Sequence, residues 1–198
     1  EELSLKPLLV CCSYPPEQLT ETGAQNISNL ISLGFDTITV SPGPLTWKEL
    51  NFNVAQISNW MISSGIKRGD RIAAYLPNIP ETVIAYISTA TIGGIWSSCS
   101  PDFGTSGVID RFSQINPKIL FIGDKYFYNG KKINILERLP EILKTVTSIK
   151  KVVVVAYPGT EIEEKKNIKI EIYDWKELIL STNKKKIEYV MSNFNDPL

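Results

Sequence analysis

Phosphate and nucleotide chemistry needs backbone amides that can crowd around an anion, so the glycines of this 198-residue chain are the first place to look for it. Two groups stand close enough together, Gly93-Gly94 and Gly104-x-x-Gly107. Neither is followed by Lys-Ser/Thr and neither forms a G-x-G-x-x-G pattern, so both are read as turn and packing glycines, with Thr105-Ser106 as a helix cap. The chain contains no histidine, which excludes a Ser-His-Asp triad, a Cys/His zinc site and imidazole acid–base chemistry within it. Cys11, Cys12 and Cys99 are too few for a disulfide framework, and no Lys, Arg or His neighbours Cys99 in sequence to make it a thiolate nucleophile. Asp70 and Arg71 flank the start of a strand and are read as a turn carrying a surface ion pair, and Lys184-Lys185-Lys186 as a solvated face.

Any surface with chemistry to do must be held by a folded core, and the composition supports one. Apolar residues make up 43% of the chain and charged residues 21%, ordinary globular values. Lys plus Arg and Asp plus Glu each number 21, so zero net charge gives no electrostatic reason to expect nucleic acid or an anionic membrane as partner. The longest apolar runs, 83–96 and 152–157, fall short of the ~20 residues of a membrane helix. Glu1 is not a start residue and no charged-then-apolar leader follows it, so the expectation is a segment of a longer, cytoplasmic product.

The central stretch, 67–112, reads as strand, turn, helix, second short strand and helix. Parallel strands can be joined only through such crossovers, so the predicted fold is a Rossmann-like α/β parallel sheet with helices on both faces. Ahead of it, 8–13 reads as a strand, 16–33 as a helix and 35–40 as a strand, together one βαβ-like unit. Thr46 and Glu49 spell a capping box, and Trp47, Leu50, Val54, Ile57 and Met61 follow at helical spacing, which predicts a helix over 46–62 packed on a strand at 71–76. Asn78 is expected to cap the next helix, with Pro80 in its first turn and small residues at Ala85, Ser88, Ala90 and Gly93 that allow close approach to a neighbour. A third helix is predicted over 106–115, a strand over 118–122, a polar and aromatic loop over 123–132, and a helix over 133–146 started late or kinked by Pro140. Four valines in 150–156 predict a strand buried on both faces. A strand over 169–172 and a helix over 174–180 capped by Asp174 complete the series.

RGDRIAAYLPN from Arg68, IWSSCSPDFG from Ile95, DRF at 110–112, SQINPKILFIGDKYFYNG from Ser113, YDWKEL from Tyr173 and the terminal FNDPL appear in an order that resembles the adenylate-forming acyl-CoA synthetases, most selectively their acetoacetyl-CoA synthetase branch. The likeness covers about 45–198 and implies part of the AMP-binding N-terminal subdomain of an acid–CoA ligase. The opening, about 5–48, resembles instead part of the N-acetyl sugar amidotransferases, enzymes of the ATP-pyrophosphatase type. Two segments, 1–44 and 45–198, are therefore expected to meet near 41–50, by natural fusion, recombination or an assembly artefact.

The synthetase resemblance implies attack of acetoacetate or a similar short carboxylate on ATP with Mg, giving an acyl-adenylate, followed by thioester formation with coenzyme A. The family's phosphate loop, of the form YSSGTTGxPK, follows the motif that stands here as FNDPL. The 198 residues alone are thus expected to be inactive, and the sheet around 150–156 to be left with open faces or an unpaired edge. By the same resemblance, positions matching the turn at 100–104 and those matching Tyr128, Asn129, Gly130 and Lys131 lie at the coenzyme A nucleotide, which makes Phe103, Arg111 and that loop the candidate binding residues. An exposed aromatic can stack an adenine, and a Gly-Lys turn can meet a 3′-phosphate. Where the related acetate-activating enzymes carry arginines around an Ala-Gly pair, this chain has Tyr128 and Lys131. Two other readings stay open: a sugar amidotransferase remnant, and a non-enzymatic binding or scaffold module.

Overall fold

A computed structural model describes residues 37–40, 43–128, 131–157, 160, 162, 170–181, 189–191, 195 and 197. The strand and helix expected over 8–33, with Cys11 and Cys12, lie outside these residues. The described part opens with an antiparallel pair, β1 (Thr37–Val40) and β2 (Gly43–Thr46), in register from Thr37 opposite Thr46 to Val40 opposite Gly43. Then follow α1 (Trp47–Ser63), β3 (Arg71–Tyr75), α2 (Pro80–Thr91), β4 (Ile95–Cys99), α3 (Thr105–Ile115) and β5 (Ile119–Gly123). The chain continues through β6 (Lys125–Tyr128), β7 (Lys131–Asn134), a 3₁₀ turn at Leu136–Arg138, α4 (Leu139–Thr145), β8 (Lys151–Val155), β9 (Glu171–Asp174) and α5 (Trp175–Ser181).

Five strands form one all-parallel sheet in the order β4-β3-β5-β8-β9. The chain steps from β3 to β4 on one side and then crosses back to β5 on the other, so the winding reverses between β3 and β5. In open α/β sheets the crevice at the carboxyl ends of the strands flanking such a reversal is where ligands bind.

Strand side chains alternate between the two faces, and the core divides accordingly. Ile72, Ala74, Ile119, Phe121, Val153 and Val155 pack under α1, α2 and α5. Ala73, Tyr75, Leu120, Ile122, Val152 and Val154 pack under α3 and α4. The valines of β8 therefore serve both faces, and β8 lies between β5 and β9. This corrects the expectation that β8 would be left with open faces or an unpaired edge: β9 and α5 cover it.

The capping box forms as the sequence predicts, with the Glu49 amide donating to Thr46 Oγ1 at 3.2 Å and the Thr46 amide donating to Glu49 Oε2 at 2.9 Å. The small face of α2 also meets its neighbour: Ser88 Oγ donates to Val54 O at 3.3 Å, and Ser58 Oγ donates to Ser88 O at 3.3 Å. Gly94 lies so close beneath α2 that a Cβ there would stand 2.9 Å from Thr89 Cγ2 and 3.0 Å from Ile72 Cδ1, which makes it a packing glycine.

Several local expectations are corrected. The N-cap of α2 is Ile79 rather than Asn78, with Thr82 Oγ1 donating to Pro77 O at 2.7 Å across the turn. Gly104, not Thr105-Ser106, caps α3. Within the loop expected over 123–132, Lys125–Tyr128 instead pairs antiparallel with Lys131–Asn134 as the hairpin β6–β7, and because Lys131–Asn134 is extended the following helix starts only at Leu139, with Pro140 in its first turn. Asp70 finds its partner across the sheet in Lys118 Nζ, 2.8 Å away, while Arg71 Nε donates to Ile115 O at 2.7 Å. Burial raises the Asp70 carboxyl, but Lys118 and the Lys67 amide outweigh it and hold the group below its ordinary range.

Glu81, in the first turn of α2, has Oε2 buried without a hydrogen-bond partner. Burial pushes its carboxyl above the usual range against the opposing pull of its own amide and of Lys176. Protonated in both folded and unfolded chains at low pH, the group costs nothing there, and folding is penalised as pH rises through and above its ordinary value of 4.5. Glu81→Gln should therefore be more stable than the parent at pH 8 by about 1 kcal/mol, with the difference closing towards pH 4. Urea titrations at the two pH values check this, and an equal or lower midpoint for the variant at pH 8 would refute it.

Candidate functional site at the carboxyl edge of the sheet

Tyr75 ends β3, Cys99 ends β4 and Gly123 ends β5, so the segments that follow them share the carboxyl edge of the sheet. After β4 the chain makes a tight turn, with the Phe103 amide donating to Ser100 O at 3.0 Å and Ser100 Oγ donating to Asp102 Oδ2 at 3.0 Å. The turn leaves the Phe103 side chain 37% exposed and leads through Gly104 into α3. Two turns along that helix Arg111 returns over the same ring, its Cζ 4.4 Å from the centroid. Residues eight apart in sequence thus form a cation–π pair at the surface, an aromatic plate with a fixed positive charge over it. Cys99, just below, is buried; burial pushes its thiol up while Arg111 draws it the other way, so it is no thiolate.

The turn is held from beneath by groups that sequence reasoning missed. Tyr75 is fully buried, and its hydroxyl donates to Phe103 O at 2.5 Å. Arg138, from the 3₁₀ turn, donates through Nη1 to Tyr75 Oη, to Phe103 O at 2.9 Å and to Pro101 O at 3.2 Å. Burial raises the Tyr75 phenol, opposed by the Arg138 charge. Tyr126 of β6 is raised too, by burial and by the Asp102 carboxylate, which places the base of the β6–β7 hairpin beside the turn.

Asp124 anchors that hairpin. It is 5% exposed and follows β5 directly; its Oδ1 accepts the Lys125 and Tyr157 amides at 2.7 Å each, and its Oδ2 lies 3.3 Å from Lys125 Nζ. Its carbonyl accepts the amides of Ile135 and Leu136 at 2.9 and 3.0 Å. Lys131 is exposed on β7, opposite Tyr128 in register. The side chain of Tyr128, and Asn129 and Gly130, lie outside the described residues. Of the predicted residues the structure therefore brings Phe103 and Arg111 into contact and puts Lys131 on the adjoining hairpin. The signal for Tyr75 was legible in principle, since a phenol inside a fully buried strand must find a partner; Arg138, 63 residues away, carried none.

A parallel α/β sheet whose winding reverses at its centre defines the class of doubly wound domains, which bind ligands at the carboxyl edge where these residues lie. Residues 35–191 match the family described as AMP-binding enzyme, and the chain belongs to that family. It is similar to the acetoacetyl-coenzyme A synthetase of Rhizobium meliloti, 41% identical over 147 residues that make up 74% of this chain and 22% of the relative. It is also similar to the acetoacetyl-CoA synthetase of Xenopus tropicalis, 49% identical over 113 residues, 57% of this chain and 17% of that one. The solved acetoacetyl-CoA synthetase from Streptomyces lividans superposes with a TM-score of 0.67 at 36% identity, covering 76% of this chain and 22% of the other. The chain thus spans about a fifth of the length of these relatives.

Proposed function

We propose that this chain is part of an acid–CoA ligase that activates acetoacetate or a similarly short carboxylate. In that reaction a carboxylate oxygen attacks the α-phosphorus of ATP and pyrophosphate leaves with the electrons of the cleaved P–O bond. The deprotonated sulfur of coenzyme A then attacks the acyl carbon of the adenylate, forming the thioester and releasing AMP. The names of relatives 41–49% identical support the substrate, and the same proposal includes cytoplasmic action on carboxylate, ATP and coenzyme A. No helix among the described residues is long and apolar enough to cross a membrane. The division into 1–44 and 45–198 is part of the proposal as well; the capping box at Thr46 gives the second segment its own helix start, although β1 lies on the far side of the boundary.

The observation that carries a local role is the Phe103–Arg111 pair. Phe103 would stack the adenine of coenzyme A and Arg111 would meet its phosphates, with Lys131 of the hairpin, and Tyr128, Asn129 and Gly130 beside it, at the 3′-phosphate. ATP with its Mg ion finds no comparable fit: Gly94 is packed against Thr89 and Ile72, Gly104 caps a helix, and no group of three His, Cys, Asp or Glu side chains suited to a metal occurs among the described residues. No residue here is assigned to it.

Titrating the 198-residue chain with 3′,5′-ADP, the nucleotide end of coenzyme A, tests the surface. Phe103→Ala should weaken binding about tenfold, as expected for loss of a stacking contact worth ~1–3 kcal/mol. An unbound parent chain, or a variant that binds as well as the parent, overturns the assignment. The reaction itself is tested by ATP–pyrophosphate exchange in the full-length gene product, where exchange indifferent to acetoacetate would sink it.

A further inference from the structure

We propose that Arg138 is a positioning residue for the Phe103–Arg111 surface: it fixes the carbonyl of Phe103 and so sets the orientation of the ring on which the ligand stacks. This rests on the reading of that surface as a nucleotide site. Three features carry it. First, Arg138 donates to two carbonyls of a single turn, Pro101 and Phe103, and to the phenol that itself donates to Phe103, so its bonds converge on the backbone that bears the plate. Second, the phenol is fully buried and its ring lies within 5.8 Å of the guanidinium, so the clamp is seated on β3 and cannot drift with the surface. Third, Arg138 stands three residues beyond Ile135, whose amide is bonded to Asp124 O, and thus ties the turn to the base of the hairpin that carries Lys131. The guanidinium sets the spacing between the two halves of the proposed site without itself facing the ligand. A carbonyl held by two donors, one of them charged, is held more firmly than by a neutral bond alone.

The test reads both the ring and the ligand. 4-Fluorophenylalanine placed at position 103 gives a single fluorine resonance that reports the ring's surroundings directly. Arg138→Met should shift or broaden that line and weaken 3′,5′-ADP about tenfold, the change expected for losing one charge-assisted hydrogen bond. Arg138→Lys, which retains a charged donor, should restore most of both. In a Phe103→Ala background Arg138→Met should cost no further affinity, because there is no ring left to orient, whereas a general loss of structure would lower affinity equally in both backgrounds. An unmoved fluorine line, or equal losses in the two backgrounds, overturns the proposal. If Phe103→Ala weakens the ligand and Arg138→Met does not, the site stands and the role of Arg138 falls. If the parent chain does not bind while the fluorine line still follows Arg138, the nucleotide reading is what fails.

Discussion

Asp124→Ala should be among the most damaging single substitutions in this chain, lowering stability by about 3–5 kcal/mol, the range seen when one partner of a buried ion pair is removed. Asp124 and Lys125 are 5% and 4% exposed, so neither charge has water to fall back on. The carboxylate also accepts two amides, the buried one of Lys125 and the half-buried one of Tyr157, and its removal takes away an acceptor as well as a charge. Asp124→Asn separates the two effects: an amide oxygen can still accept from both N–H groups but cannot balance Lys125 Nζ, and the loss should be about half as large. Replacing both residues, Asp124→Leu with Lys125→Met, should recover part of the loss, since a buried pair as a whole is worth far less than either half left alone. Urea denaturation of the three variants checks the order. A loss below ~1 kcal/mol for Asp124→Ala would mean that the pair is not what fastens the hairpin to the ends of β5 and β8.

The parts of this structure that were legible in the sequence are those written in local chemistry. The Thr46–Glu49 box and the apolar spacing behind it determine α1 within a few residues of chain, the four valines of β8 specify a strand with two buried faces, and Asp174 caps α5 by accepting the Lys176 and Glu177 amides at 2.8 and 3.3 Å. The hairpin was not recognised, although Asn129-Gly130 between two four-residue runs is the residue pair favoured in two-residue hairpin loops; the many polar residues on its strands hid the alternation. Phe103 and Arg111 were singled out by family resemblance, but their contact depends on two turns of α3 bringing the guanidinium back over the ring. Arg138 was beyond reach for a different reason. Its partners lie 35 to 63 residues earlier, on the far side of a strand, a hairpin and a helix, and no local spacing encodes a meeting of that kind.

Phe121→Ala should cost about 3–5 kcal/mol, the range for emptying a buried aromatic site, and should do so without disturbing the proposed ligand surface. Phe121 sits at the middle of β5, the central strand, with no exposed surface. Its ring meets Trp60 of α1 at 6.4 Å, Trp96 of β4 at 6.4 Å and Trp175 of α5 at 6.0 Å, and Trp60 in turn meets Tyr173 of β9 edge-on at 5.2 Å. This ring therefore joins two helices and the β4 edge to the centre of the sheet and reaches the β9 edge through Trp60, and its truncation forfeits three aromatic contacts of ~0.5–1.5 kcal/mol each, in addition to apolar burial. Rigid strands flank the site and leave little room to collapse, which places the cost towards the upper end. Phe121→Leu, which fills more of the space, should lose clearly less than the alanine variant. All of this happens on the face covered by α1, α2 and α5, whereas Tyr75, to which Arg138 and the turn that carries Phe103 are bonded, belongs to the opposite face. Well below its unfolding midpoint, Phe121→Ala should accordingly bind 3′,5′-ADP within about twofold of the parent, a difference of under ~0.5 kcal/mol, while its tryptophan emission shifts to the red as water reaches three of the four indoles. A stability loss under ~1.5 kcal/mol would show that the aromatic cluster does not hold the layers together. An equally large loss of affinity would show that the two faces of the sheet are not independent.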